Sequence, residues 1–360
     1  VTLILVLFGD ASRIDLRALR RELGLPIRLL GLGLPLCSLL GMAVAKGVLP
    51  ELSWLEAGVL SAVLAPTDAA LGQAVVSSPV VPLRIRQALN VESGLNDGIA
   101  LPVVMILSAL ASMAMAETRT AAEWATFAAL QVTLGPLAGV VVGVAGAKLV
   151  LAAVDKDWMS GSFVRLSGLS LACLAYASAQ EIGGNGFIAA FVAGMTFGHV
   201  ARDRCEVLQE FLEAEGQLLM LVVFLLLGAA LLGESLAHVT GAMVLYALLS
   251  LTVVRMLPTA LALVGSGVRG PTMAFVGWFG PRGLASVLFA ILIVSEVELA
   301  HGELIFSVTM VTVAISIVAH GVSAAPLAKR YGRMASDAAT CPAEHEAVHP
   351  HRTRAETYLA

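Results

Sequence analysis

Uncharged stretches as long as a bilayer is thick recur along this chain, and no other feature restricts its fold so strongly. A helix crossing ~30 Å of hydrocarbon needs roughly 20 apolar residues. Runs of that order fall at 29–45, 98–116, 124–147, 182–201, 216–233, 235–254 and 304–328. Three more spans follow if an interior charge is tolerated: 52–76 around Asp68, 162–180, and 271–295 around Arg282. The stretch 235–254 can run on past Arg255 to about residue 264. With the short opening run 1–9 the total is about eleven segments. A soluble reading fails on composition, because only 13% of residues are charged and 58% belong to the AVILMFWYC set. A water-facing surface carries about a quarter of its residues charged. The chain is therefore expected to be an all-α polytopic membrane protein. Its net charge of −4 lacks the basic excess of a nucleic-acid binder. Cys37, Cys173, Cys205 and Cys341 lie far apart without CxxC spacing, which suits neither a zinc site nor a disulfide framework.

Cytoplasmic loops collect Lys and Arg, so the connections test the count. Arg13, Arg17, Arg20, Arg21 and Arg28 lie within 10–28, whereas the next connection has Lys46 offset by Glu51. Basic-rich and basic-poor loops alternate from there to Lys329, Arg330 and Arg333. This orientation places the C-terminus in the cytoplasm of a plasma (inner) membrane protein. Residues 329–360 are polar, with Pro342, His345, His349 and His351, and read as a disordered cytoplasmic tail. Residues 201–215 read as a cytoplasmic amphipathic helix and linker.

Asp68, Glu92, Asp97, Arg255 and Arg282 fall inside spans. An ionisable group near the bilayer centre costs at least ~2.5–3.5 kcal/mol, so such residues default to function unless they form a structural ion pair. At ~1.5 Å rise per residue, Asp97 lies roughly 13 Å beyond a cytoplasmic start near residue 88. Arg282 lies about 16 Å beyond a start near 271 by the same rise. Within 90–98 (NVESGLNDG) Ser93 and Asp97 are four apart and share a helical face. Glu92 and Asn96 form a second pair on the adjacent stripe. Such hard oxygen ligands suit a small hydrated cation rather than a transition metal.

Two spans are interrupted. Proline breaks the helix at Pro66-Thr67-Asp68 and again at Gly280-Pro281-Arg282-Gly283. Broken segments in corresponding halves point to a transporter site at a repeat interface. There an unwound carbonyl such as that of Thr67 can ligate a cation, while Asp68 can sit where a half-helix N-terminus offers positive partial charge.

The runs APTDAA, ESGLNDG, GGNGFIAAFVAG and WFGPRGLAS, in that order and spacing, resemble the monovalent cation:proton antiporters. The resemblance is to the sodium/proton exchanger branch with Asn-Asp in its core helix, and it covers roughly residues 1–328. It implies an inverted-repeat fold with two crossed broken helices, a core ion site built around 52–116 and 271–328, and a homodimer. By position, Asp97 resembles the carboxylate that binds cation or proton, with Ser93 and the Thr67 carbonyl as further ligands. Asn96 would hold the crossing together, Glu92 would pair with Arg282, and Arg255 resembles a basic residue of a later helix. Family members carry helices ahead of the position matching Val1, one of them used in dimer contact, so a truncated or misassigned start is expected.

The expected activity is exchange of Na⁺ for H⁺ by alternating access, electroneutral through the Asn-Asp pair, without a cofactor and serving pH homeostasis. A K⁺/H⁺ exchanger would use the same ligands, and a passive channel is a third reading. No HExxH occurs, and no GxSxG lies at membrane depth, which sets an intramembrane hydrolase aside. His199, His238, His301 and His320 sit at span edges or alone and read as packed or interfacial. The run from Gly183 to Gly194 reads as close helix packing.

Overall fold

The structure is a computed structural model that describes residues 2–12, 24–68, 71–116, 121–201, 216, 218–226, 228–229, 239–337 and 340–346. These residues fold into helices and connections without strands. In chain order the helices are α1 (Thr2–Ser12), α2 (Gly24–Val48), α3 (Trp54–Val63), α4 (Gln73–Val76), α5 (Leu83–Ala116), α6 (Ala121–Asp155) and α7 (Gly161–Glu181). They continue as α8 (Gly186–Ala201), α9 (Gly241–Leu251), α10 (Val253–Leu263), α11 (Gly270–Trp278), α12 (Leu284–Glu296) and α13 (Gly302–Met334). Among the described residues, six stretches are long and apolar enough to cross a membrane: Gly24–Val48, Leu83–Ser112, Ala129–Asp155, Ser162–Glu181, Gly241–Leu263 and Gly302–Met334. α1, α3, α8 and α12 are shorter and equally apolar. Large side chains such as Leu149, Val318 and Val322 are exposed on these helices, as lipid contact requires and water would penalise. The chain is an integral multi-pass membrane protein. Residues 202–215 of the segment expected at 201–215, and parts of the span at 216–233, lie outside the described residues, as do Cys205 and His238.

Two compact units form. The first takes residues 1–19 and 118–225, the second 20–117 and 226–360. In the first unit, Gly135, Gly139 and Gly143 of α6 recur every four residues and so share one face. A Cβ on Gly135 or Gly139 would meet the α8 backbone at Asn185 or Ala189, and one on Gly143 would meet Thr196. α8 in turn presents Gly194 and Gly198 to the α1 backbone at Phe8 and Ser12, where the rings of Phe8 and Phe197 lie 5.9 Å apart. Gly184, Gly186 and Gly194 thus pack closely as expected, against α6, Tyr176 and α1, whereas Gly183 meets nothing within 4 Å and has a φ of +79°.

The second unit contains 52–116 and 271–328, together with α2, α9 and α10. α3 starts in a capping box: Ser53 Oγ accepts from Glu56 N, and Glu56 returns a carboxylate to Ser53 N. Glu56 also accepts the His301 N–H at 2.9 Å and faces His301 Nδ1 at 3.2 Å, tying the starts of α3 and α13. α3 ends at Val63, two residues before the Ala65-Pro66 pair. The residue before proline avoids helical dihedrals, and proline has no N–H to continue the ladder. α11 ends at Trp278 for the same reason, ahead of Gly280-Pro281, and α12 starts only at Leu284.

The tail departs from the disorder expected of it. α13 runs on to Met334, and residues 340–346 fold against the unit. Glu344 is fully buried and accepts from the Thr272 hydroxyl at 2.7 Å and the Arg269 N–H at 2.9 Å, at the first turn of α11. Arg84 pairs with Glu346 at 2.8 Å and also donates to the Ala343 carbonyl. Composition marks such a stretch as soluble, and what orders it is a set of specific partners supplied by α5, α11 and α13. Residues 347–360, with His349 and His351, lie outside the described residues.

Burial alone would raise the Glu344 carboxyl, but the hydrogen bonds from Arg269 N–H and Thr272 outweigh it and hold it below the ordinary carboxylate value. A lowered folded-state pKa contributes stability that is complete above the unfolded value and disappears as pH falls through the folded one. Glu344→Ala is therefore expected to lower stability by about 1–3 kcal/mol at neutral pH and to narrow the gap to the parent under acid. Thermal midpoints of the detergent-solubilised proteins at pH 7 and pH 4 measure both effects.

Candidate functional site

The two unwound stretches of the second unit, 64–68 and 279–283, meet backbone to backbone. The Asp68 N–H donates to the Pro281 carbonyl at 2.8 Å. Each break leaves a half-helix with orphaned polar groups, positive at the N-terminal end and negative at the C-terminal end. Side chains from the opposite break answer both. Asp68 Oδ2 accepts the Leu284 N–H at 2.8 Å, at the first residue of α12, while Oδ1 accepts the Leu71 N–H at 3.1 Å. Arg282 Nη1 donates to the carbonyls of Ala65 at 2.9 Å and Pro66 at 3.1 Å, just beyond the end of α3. The Ser286 hydroxyl donates to the Val63 carbonyl at 2.8 Å. A carboxylate thus faces a helix start and a guanidinium faces a helix end, which is the favourable sense for each.

The glycines of Gly280-Pro281-Arg282-Gly283 admit charged neighbours. A Cβ on Gly283 would collide with the Asp68 carboxylate, and one on Gly280 with the Arg255 guanidinium. Neither glycine has a positive φ, so close approach accounts for both.

α5 passes beside the crossing. Asn96 is 1% exposed and donates from Nδ2 to Thr67 Oγ1 at 2.6 Å, while its buried Oδ1 accepts no hydrogen bond among the described residues. Ser93 is buried and its hydroxyl donates to Leu89 O at 2.7 Å, leaving oxygen lone pairs to accept or ligate. Asp97 is half-buried, one residue after Asn96 and one turn after Ser93. Thr67 is 4% exposed. The structure therefore joins Asn96 to Thr67 and both breaks to each other, on the helix that carries Ser93 and Asp97.

The pairing expected for Glu92 is corrected. Glu92 does not pair with Arg282; it forms a bidentate bridge with Arg255 of α10, Nη1 to Oε1 at 2.6 Å and Nη2 to Oε2 at 2.8 Å. Both side chains are almost fully buried. Counting residues along a span gives a depth, and depth does not fix which side of α5 an arginine approaches. Arg282 is held by the carbonyls of the first break, which offer its guanidinium the acceptors a buried cation needs. Two further residues bear on the break: Ser316, which the sequence reading did not single out, and His320, which it read only as packed or interfacial. Ser316 accepts the Arg282 N–H at 2.7 Å, and His320 faces the Trp278 carbonyl at 2.9 Å through Nε2. Their signal was present as spacing: Ser316, His320 and Ser323 recur at i, i+4 and i+7 within an apolar helix.

A family model described as "Sodium/hydrogen exchanger, transmembrane" matches residues 1–330. The K(+)/H(+) antiporter NhaP of Alkalimonas amylolytica is 26% identical over 333 residues, covering 91% of this chain and 56% of that protein. The Na(+)/H(+) antiporter NhaP of Pseudomonas aeruginosa is 26% identical over 349 residues, covering 90% of this chain and 78% of that protein. The structure of the sodium proton antiporter MjNhaP1 from Methanocaldococcus jannaschii superposes with a TM-score of 0.72 at 18% identity, over 92% of this chain and 84% of that one. That likeness bears on the fold alone. The chain spans about half the length of the K(+)/H(+) antiporters it matches. A match covering residues 1–330 of 360 shows that the chain belongs to the sodium/hydrogen exchanger family.

Proposed function

We propose that this chain exchanges a monovalent cation for protons by alternating access, with Na⁺ as the cargo and the crossing of the broken helices as the site. The observation that carries the reading is the Asn96–Thr67 hydrogen bond, which fastens the Asn-Asp pair of α5 to the first break. Asp97 takes either the cation or the proton. Ser93 Oγ and the Thr67 carbonyl complete the oxygen set, which suits a hard monovalent ion. Glu92 is committed to Arg255 and Asp68 to the start of α12, so both act as scaffold. Asn rather than Asp at position 96 leaves one exchanging carboxylate in the pair, hence one proton per cation and an electroneutral cycle. The protein works as a homodimer in the inner membrane, and the loop charges support a C-terminus in the cytoplasm.

A second reading, K⁺/H⁺ exchange, is favoured by the relatives that are described as K(+)/H(+) antiporters. Proteoliposomes with an imposed inside-acid gradient and a fluorescent proton probe separate the two. Saturable dequenching on adding Na⁺, with little response to K⁺, is the expected result. A response to K⁺ alone would assign the second reading. Ohmic current without proton counter-flow would reject exchange altogether.

A further inference from the structure

α13 carries a polar face that the exchange chemistry does not use. Ser316 and His320 are fully buried, and Ser323 lies one further turn along the same stripe. All three touch the second break or the end of α11 that leads into it. Ser316 Oγ accepts the Arg282 N–H at 2.7 Å, on the far side of Pro281. His320 Nε2 faces the Trp278 carbonyl at 2.9 Å, on the near side. Trp278 Nε1 donates to Ser323 Oγ at 2.9 Å, and its ring lies 5.1 Å from the imidazole at 32°. The Phe279 ring closes the other side at 6.5 Å. One helical stripe thus grips both lips of the gap between α11 and α12.

The imidazole links the two lips. Nε2 faces the Trp278 carbonyl, while Nδ1 lies 2.8 Å from the Ser316 carbonyl and 3.2 Å from the Ser316 hydroxyl. That hydroxyl oxygen in turn accepts the Arg282 N–H. Arg282 then carries the hold across to the carbonyls of Ala65 and Pro66, next to Thr67. A continuous line of polar contacts therefore runs from Trp278 through His320, Ser316 and Arg282 to the first break.

We propose that His320 is a positioning residue of the cation site: by bracing the second break against α13, it fixes where Arg282 holds the unwound carbonyls beside Thr67. Its transport consequence rests on the exchange reading, whereas its bracing role does not. Displaced carbonyls weaken cation binding in the resting site more than they slow the turnover of a loaded one. His320→Ala raises the half-saturating cation concentration roughly tenfold, the factor set by one hydrogen bond of about 1.4 kcal/mol, with a smaller change in maximal rate. Ser316→Ala moves the same parameter in the same direction. His320→Gln recovers most of the affinity, because its amide nitrogen can take the place of Nε2 and donate to the Trp278 carbonyl.

Two measurements on the full-length protein test this. The first is the cation titration in proteoliposomes with whichever of Na⁺ or K⁺ drives exchange in the parent. The second is amide hydrogen exchange of the peptide covering 279–284 in detergent. Faster amide exchange with lost affinity in His320→Ala and Ser316→Ala, both largely restored in His320→Gln, is the expected result. Parental amide exchange and parental affinity in a folded His320→Ala would overturn the proposal. Loss in His320→Gln equal to that in His320→Ala would overturn the donor role and leave only ring packing against Trp278. If His320→Ala does not fold, Ser316→Ala and His320→Gln decide the matter alone. A parent that exchanges no cation would defeat the exchange reading, and amide exchange at 279–284 would still decide the brace.

Discussion

Asp97→Asn is expected to abolish cation-driven proton movement in proteoliposomes while the protein still purifies as a folded, monodisperse species. The replacement keeps the shape of the side chain and removes its charge and its titrating proton. Hydrogen bonds to charged groups contribute up to about 3 kcal/mol, so losing one anionic ligand of that class weakens cation binding about 100-fold. The loss of proton exchange is more complete, because an amide carries no proton between the two sides at any working pH. Fold and function separate cleanly here because Asp97 is half-buried, unlike its neighbour Asn96, which is 1% exposed and bonded to Thr67. Residual exchange in Asp97→Asn at a tenth of the parental rate or above would move the exchanging carboxylate elsewhere. The companion variant Asn96→Ala should lose transport too, but together with thermal stability, because a buried partner of Thr67 goes with it.

Much of this site is legible in the sequence because breaks and periodicity are local properties. Pro66 and Pro281 interrupt helices through their own ring and missing N–H, and Ser93 and Asp97 share a face through spacing alone. What is not local is azimuth. Residue counting places Asp97 and Arg282 in depth, and nothing in the neighbourhood of Arg255 or Arg282 says which one faces Glu92. The second break gives a partial hint, since Gly280 leaves room for the Arg255 guanidinium and Gly283 for the Asp68 carboxylate. A glycine read from sequence does not name its visitor. The brace on α13 was hidden differently. His320 alone looks like an isolated packed histidine, and it gains meaning only once Ser316 and Ser323 are read as one stripe facing a broken neighbour. The tail fails through composition: 340–346 is polar, yet Glu344 is buried because α11 begins at a position where a carboxylate can cap it. Composition describes what a segment could do in water and is blind to such a partner.

The exchange of partners between the two arginines has the largest consequence for stability. Removing one member of a buried ion pair leaves an uncompensated charge and costs about 3–5 kcal/mol, whereas replacing both by apolar groups of similar volume is often neutral or stabilising. Glu92→Gln and Arg255→Met are therefore each expected to lower the thermal midpoint sharply in detergent. The double variant, with Glu92→Leu and Arg255→Met, should recover most of that loss. Arg282 behaves differently, because its Nη1 acceptors are the carbonyls of Ala65 and Pro66. Arg282→Met frees those carbonyls instead of stranding a carboxylate, and combining it with Glu92→Leu should give losses close to additive. Additivity is the normal outcome for groups that share no partner, and coupling the outcome for groups in contact. Strong coupling between positions 92 and 255, with much weaker coupling between 92 and 282, is the expected pattern. The reverse pattern would mean that the bidentate bridge is not the pairing held in the membrane. The role of Glu92 as scaffold, and with it the assignment of exchange to Asp97, would then have to be drawn again.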